Sequence, residues 1–273
     1  MDNYQITNQI DKNQYTEFDH LTNYSKNTNF MLLLRDINNW TLSSDSELQL
    51  KAIDGLRSLL KFRSKLFQFI FSNVYKNLPS LINSHKNNVS KLTIIFISEL
   101  FNKDHRFDEL KEDHRDWYSY IIPPIVDRAT ILNDNIFKNV SIQAFKNLSE
   151  NIFSSDVIEI FLNYLGSNID DKNKKNVNNI IEIVFSTLDK NFTLFDECEF
   201  EHLLNWDKIL DQLDTLYKKE NEYLKKAIEN LLFVIVNKIG EKPFLNLVEM
   251  NSCTDVYDNI AKIYFNIKGK ENV

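Results

Sequence analysis

The sequence predicts an all-α fold, an α-solenoid of about six stacked helical hairpins. Three observations carry that expectation. The chain has 4 Gly and 4 Pro in 273 residues, too few for folds that spend glycine on tight turns and close backbone approaches. Hydrophobic residues make up 43% of it and recur at helical spacing almost to the C-terminus. Short polar turns, rather than linkers rich in Pro, Gly or Ser, separate the periodic segments.

The elements follow in order. Residues 1–26 lack periodicity and are expected to form a flexible lead-in. Phe30, Leu33, Leu34 and Ile37 make a short helical stripe ending at Asn38-Asn39-Trp40. Ser43 to Glu47 looks like an N-cap with an acidic first turn, opening a helix that carries Leu48, Ile53, Leu56, Leu59 and Leu60. A third helix holds Leu66, Phe67, Ile70, Phe71, Val74, Leu78, Leu81 and Ile82, with Pro79 kinking or breaking it. After a turn at His85–Asn88, Val89–Phe101 turns Leu92, Ile95, Phe96 and Leu100 inward. Asn102–Asp116 is a charged connector. Trp117–Thr130 is the next helix, with Pro123-Pro124 placed near its start. Asn133–Asn135 leads into Ile136–Asn151, and Ser154-Ser155-Asp156 caps Val157–Leu165, which Gly166 is expected to end. Val177–Leu188 follows a polar turn, and Asp189–Glu201 is a second connector. Helices through Leu203–Leu216, Leu224–Ile239, Pro243–Met250 and Val256–Phe265 complete the series.

Paired from 27 to 269, these helices give hairpins of about 40 residues, the HEAT period rather than the shorter TPR or ankyrin one. Each hairpin is apolar on two faces and cannot bury both alone. Stacking into one elongated domain, 27–269, is the expected solution.

Composition excludes several functions. The net charge is −7, a poor basis for the basic surface that nucleic-acid binding needs. No apolar run approaches the ~20 residues that span a bilayer, and Met1 to Lys26 holds no apolar signal region. A cytoplasmic protein with no membrane partner is expected. Cys198 and Cys253 show no paired spacing, and Cys198 sits among Asp196, Glu197 and Glu199, which disfavours a thiolate nucleophile. His20, His85, His105, His114 and His202 form no metal-ligand pair on one helix face. The acidic cluster from Asp104 to Asp116 lacks the alternation and central glycine of a calcium loop. Nucleophile-elbow, phosphate-loop and kinase signatures are absent from the sequence. Non-catalytic binding with no cofactor and no metal is therefore expected. An enzyme would need paired carboxylates in a concave pocket, which nothing in the sequence requires.

Local features add a resemblance. A short helix, Phe30–Asn38, precedes a loop bearing Trp40, and the helix after it runs Gln49-Leu50-Lys51-Ala52-Ile53-Asp54-Gly55-Leu56-Arg57-Ser58-Leu59-Leu60. The next hairpin holds Asn87-Asn88-Val89-Ser90-Lys91 and closes on Phe96-Ile97-Ser98-Glu99-Leu100-Phe101. These stretches resemble TOG domains, the HEAT-repeat tubulin-binding modules of the CLASP and crescerin groups of microtubule regulators. The order of elements is compatible over roughly 240 residues. Lys91 stands where the family tends to have Arg, the turn Leu132–Ile136 has no basic residue, and Thr41–Ser46 lengthens the Trp40 loop.

The resemblance implies a tubulin-binding ridge along the turns inside successive hairpins. On it fall Trp40, Lys86, Lys91, Lys138, Lys172, Lys174, Lys175, Lys218, Lys219, Lys225 and Lys226. Lysines would steer an acidic partner and an exposed Trp would anchor it. The plainer account is that lysines at helix starts are ordinary surface, and that Trp40 caps the core. Trp117 and Trp206 lie in apolar stripes and are expected in the core. The implied setting is the cytoskeleton, with the cilium for a crescerin-like domain. The alternative is a HEAT scaffold for a partner other than tubulin, and the charge along the turn edge separates the two.

Overall fold

A computed structural model of the chain describes residues 17–25, 28–102, 116–131, 135–152, 155–170, 176–194 and 204–271. The chain divides into two compact units, Met1–Ala144 and Phe145–Val273. Unit 1 contains α1 (Phe30–Thr41), α2 (Ser46–Phe62), α3 (Ser64–Val74), α4 (Leu78–Ile82), α5 (Asn87–Leu100), α6 (Asp116–Ala129) and the first part of α7 (Asn135–Asn151). Unit 2 takes the rest of α7, then α8 (Ser155–Asn168), α9 (Val177–Leu194), α10 (Trp206–Tyr217), α11 (Glu222–Ile239), α12 (Glu241–Asn251) and α13 (Thr254–Glu271). No strand occurs among the described residues.

The repeat shows in which side chains meet. In unit 1, Arg57 reaches Glu99 across 42 residues, and Arg128 reaches Ile82 and Ser84 across 46 and 44. In unit 2, Asn191 reaches Ser149 across 42, Lys238 reaches Thr193 across 45, and Gln212 reaches Asn163 across 49. Each hairpin thus bonds to its equivalent one repeat away, which is how a helical-repeat stack closes. The all-α solenoid class expected from periodicity is the observed one.

Capping explains where the helices start. Asp45 Oδ1 accepts from Glu47 N at 2.8 Å and opens α2, and Asn29 and Asn221 do the same for α1 and α11. Behind the caps, Ile37, Ile53, Leu56, Phe71 and Phe96 are wholly buried in unit 1, and Phe161, Ile181, Leu213, Ile228 and Phe244 in unit 2. Each such side chain stabilises its unit by about 1.5–3 kcal/mol. Trp117 stacks on Phe101 at 5.7 Å, and Trp206 lies 6.1 Å from Phe192. Both tryptophans are core residues, as their apolar stripes predict.

The structure corrects several boundaries. The long third helix is broken by a 3-10 turn at Tyr75–Asn77, and Pro79 sits in the first turn of α4, where its missing N–H costs nothing. Pro123 and Pro124 lie inside α6 rather than near its start. The residues four positions before them, Ser119 and Tyr120, are exposed, so water has access where the missing N–H groups would otherwise pair. Gly166 does not end α8. The helix runs on to Asn168, whose side-chain amide donates to Tyr164 O at 2.6 Å. α9 continues through Leu194 into the stretch expected to be a connector. Apart from Asp116, which opens α6, the acidic cluster expected in the first connector lies outside the described residues, as do His105, His114, Cys198 and His202.

Candidate functional site

The direction of the helices in unit 1 decides which turns share an edge. Arg57 lies 11 residues past Ser46, the start of α2, and Glu99 lies 12 past Asn87, the start of α5. Equivalent helices of a repeat stack run parallel, and their bidentate pair, Nε to Oε2 at 2.8 Å and Nη2 to Oε1 at 2.7 Å, joins α2 and α5 at equal depths. At 1.5 Å per residue, both N-termini stand about 17 Å away on the same side. The turns before α2 and α5 face one edge. Asn77 Nδ2 donates to Thr41 Oγ1 at 3.0 Å and ties the end of α1 to it. Arg128, in the last turn of α6, donates to Ile82 O at 2.9 Å and Ser84 O at 2.6 Å. Ser90 Oγ also donates to Ile82 O. Unit 1 thus gathers residues 41–45, 82–87 and 128–131 along one rim.

Chemically this rim is apolar and basic. Leu42 is 66% exposed and Ile131 is 44% exposed. Lys86, at the N-cap of α5, and Lys138, in the first turn of α7, are exposed and have no side-chain partner among the described residues. Lys91 follows one turn into α5 and is partly exposed. Trp40 is not in a loop. α1 extends through Thr41, whose Oγ1 donates to Asn38 O at 2.8 Å, so Trp40 lies in the last helical turn and is half-buried. The residue on the loop itself, Leu42, is the more exposed of the two.

Unit 2 has an edge of the same kind with different electrostatics. Thr193 and Lys238 each lie 16 residues past the first residue of α9 and α11, and Lys238 Nζ donates to Thr193 O at 3.0 Å. These helices are therefore parallel with their starts level. The lysines here are matched by carboxylates. Lys218 Nζ lies 2.6 Å from Asp214, whose hydrogen bond raises the Lys218 pKa, with Asp255 and Asp211 also acting on it. Lys219 pairs with Asp170, and Lys225 lies 3.0 Å from Glu222. Lys226 is exposed with no side-chain partner among the described residues. Lys172, Lys174 and Lys175 lie outside the described residues.

The strongest polar feature was not expected. Arg57 is wholly buried and is held by Glu99 and by Asp54 Oδ1 at 3.0 Å. Burial pushes the Glu99 and Asp54 carboxyls above their ordinary range, and Arg57 pulls them back. The signal was in the sequence. Arg57 falls in the stripe of Ile53, Leu56 and Leu60, and Glu99 falls in that of Phe96 and Leu100, one repeat later. Among the described residues no group of side chains could hold a metal ion, and no helix is long and apolar enough to cross a membrane.

No protein-family profile and no curated protein sequence matches the chain. Among solved structures, a TOG domain of crescerin covers 87% of this chain and 91% of its own at a TM-score of 0.54 and 14% identity. Crescerin is described as using a TOG domain array to regulate microtubules in the primary cilium. Two designed armadillo repeat proteins, one in complex with the peptide (KR)4, match at TM-scores of 0.40 and 0.38 and identities of 13% and 15%. They cover 86% of this chain and 98% and 99% of their own. The chain has a HEAT-like α-solenoid fold, similar to that of a TOG domain.

Proposed function

We propose that this chain binds tubulin or microtubules through the rim of unit 1 and acts in the cytoskeleton, including cilia. What supports the reading is exposed Leu42 on the turn before α2 and exposed Lys86 on the turn before α5, with Lys138 exposed in the first turn of α7 and neither lysine showing a carboxylate partner among the described residues. An apolar anchor flanked by positive charge suits the acidic surface of tubulin, with the lysines steering encounter and Leu42 and Trp40 excluding water. Lys91 extends the rim. Lys172, Lys174 and Lys175 belong to the same proposal in unit 2. The role is binding, and the chain's own residues supply no chemistry to a reaction.

A second reading has its own observation. Lys218, Lys219 and Lys225 are matched by Asp214, Asp170 and Glu222, so that stretch offers an acidic partner little net charge. A scaffold holding a protein other than tubulin accounts for this neutrality.

Tubulin co-elution at low salt and microtubule pelleting separate the two. Wild type should bind, and Leu42→Asp with Lys86→Glu should abolish binding while leaving the thermal melt unchanged. Absence of wild-type binding in both assays would sink the tubulin reading and leave the scaffold one.

A further inference from the structure

Residues 17–25 lie across unit 1 in the manner of a bound peptide. Phe18–His20 form one 3-10 turn, and Lys61, near the end of α2, donates to two successive carbonyls, Phe18 O at 2.7 Å and Asp19 O at 2.9 Å. The same ammonium stands 5.2 Å from the centroid of the Phe18 ring and 5.2 Å from that of Phe62. Three residues on, Leu21 is buried, only 7% exposed. Three further, Tyr24 packs edge-on against Phe30 at 6.2 Å. Its hydroxyl enters a slot that exists because residue 55 is glycine. A Cβ on Gly55 would stand 3.2 Å from the Tyr24 oxygen and 3.0 Å from Ile37 Cδ1. After Tyr24, a turn in which Thr28 N donates to Ser25 O at 3.1 Å reverses the chain towards α1. The segment has no ladder or helix of its own beyond that single turn. One side chain, Lys61, holds it from 43 and 42 residues away.

We propose that the groove between α1 and α2 is a peptide-docking site, occupied in cis by residues 17–25 and open to partner segments of the same pattern. The partner chemistry is set by the resident strap. It is an extended segment with an aromatic, an aliphatic and an aromatic residue at three-residue spacing. It presents two consecutive main-chain carbonyls to Lys61 and a Tyr to the Gly55 slot. The strap competes with any such partner, because tethering gives it an effective concentration on the order of millimolar. The site therefore favours partners that outbind the strap, or conditions that loosen it. This surface is separate from the rim, and its test does not depend on tubulin.

The test uses the full chain and a fluorescently labelled synthetic peptide of residues 17–25. Anisotropy should show saturable binding, weak to wild type because its own strap fills the groove. Leu21→Asn in the chain, with the peptide unchanged, should tighten binding by about tenfold or more, since it removes a buried leucine from the competitor alone. In the Leu21→Asn chain, where the strap no longer competes, adding Lys61→Met should weaken peptide binding by loss of two charge-assisted hydrogen bonds. Hydrogen exchange of residues 17–25 should be faster than that of α2 in wild type, and faster still with peptide added. A strap that exchanges only together with α2, or a Leu21→Asn chain that keeps its fold yet binds no peptide, would overturn the proposal. Loss of fold in Leu21→Asn leaves the wild-type exchange comparison to decide.

Discussion

The two units close the same joint with opposite chemistry. In both, a side chain from a later helix turns back to the carbonyls that end an earlier one. Unit 1 uses a guanidinium, Arg128 on Ile82 and Ser84, and adds a second, wholly buried one in Arg57 between Asp54 and Glu99. Unit 2 uses a neutral amide at the end of α7 and keeps a cation, Lys238 on Thr193 O, only at the exposed end of α9. Asn191, 4% exposed, donates to Ser149 O at 3.1 Å and Ile152 O at 2.8 Å. Beside it lies an ion pair exposed on both sides, Lys190–Glu150 at 2.7 Å, where each side chain is more than a third exposed. A buried ion pair resists misregister because either partner alone is very costly, whereas an exposed one adds little. Unit 1 should therefore be the more brittle to a single substitution, and unit 2 the more tolerant.

Arg57→Ala is the largest break of that contrast. It strands the nearly buried Glu99 carboxyl, takes a partner from half-exposed Asp54, and should destabilise unit 1 by about 3–5 kcal/mol in denaturant unfolding, with exchange in α2 and α5 rising before that in α9. Asn191→Ala should cost unit 2 about 1–3 kcal/mol, because two buried carbonyls lose their donor. Next comes Asp189, whose carboxyl burial pushes up to about 6 from the ordinary 3.8 and whose Oδ1 has no hydrogen-bond partner among the described residues. Between those two values the folded state holds a proton that the unfolded state has lost, so stability falls as pH rises through this window. Asp189→Asn should raise the melting temperature at pH 7, leave it nearly unchanged at pH 4, and flatten the slope between. The smallest effect belongs to Lys190–Glu150. A double-mutant cycle there should give a coupling of about 0.2–1 kcal/mol, shrinking with added salt. A coupling as large as the Arg57 effect would erase the distinction between the units.

Periodicity made most of the fold legible because helices that must bury a stripe advertise it in every turn. Ile53, Leu56 and Leu60, or Ile228, Leu231 and Ile235, need no tertiary knowledge to be placed inward. What failed were boundaries, where local chemistry competes evenly with helix propagation. Trp40 stays helical because Thr41 bonds back to Asn38, and Gly166 lies inside α8 with open space where a Cβ would be and no left-handed backbone to end the helix. Pro123 and Pro124 mislead because their cost depends on whether water reaches two carbonyls, which sequence does not show. The ridge was legible as positions and not as charge. Lys218, Lys219 and Lys225 look like basic surface until Asp214, Asp170 and Glu222 are seen beside them; two of those pairings are helical neighbours in sequence, and one, Lys219 with Asp170, depends on how the chain folds back. Arg57 escaped notice because a charge amid leucines looks like an exception, and its partner lies a full repeat downstream.

The backward-reaching caps have a consequence for how such a chain can be cut and joined. The segment that looks complete in sequence, for example one ending at Ile152, leaves behind the amide at position 191 that finishes it. Excised modules should therefore be taken in overlapping rather than adjacent frames, each carrying the first helix pair of its successor. A chimera spliced at the turns would inherit ends tailored to a neighbour it no longer has. One spliced after the capping residue would carry its own closure with it.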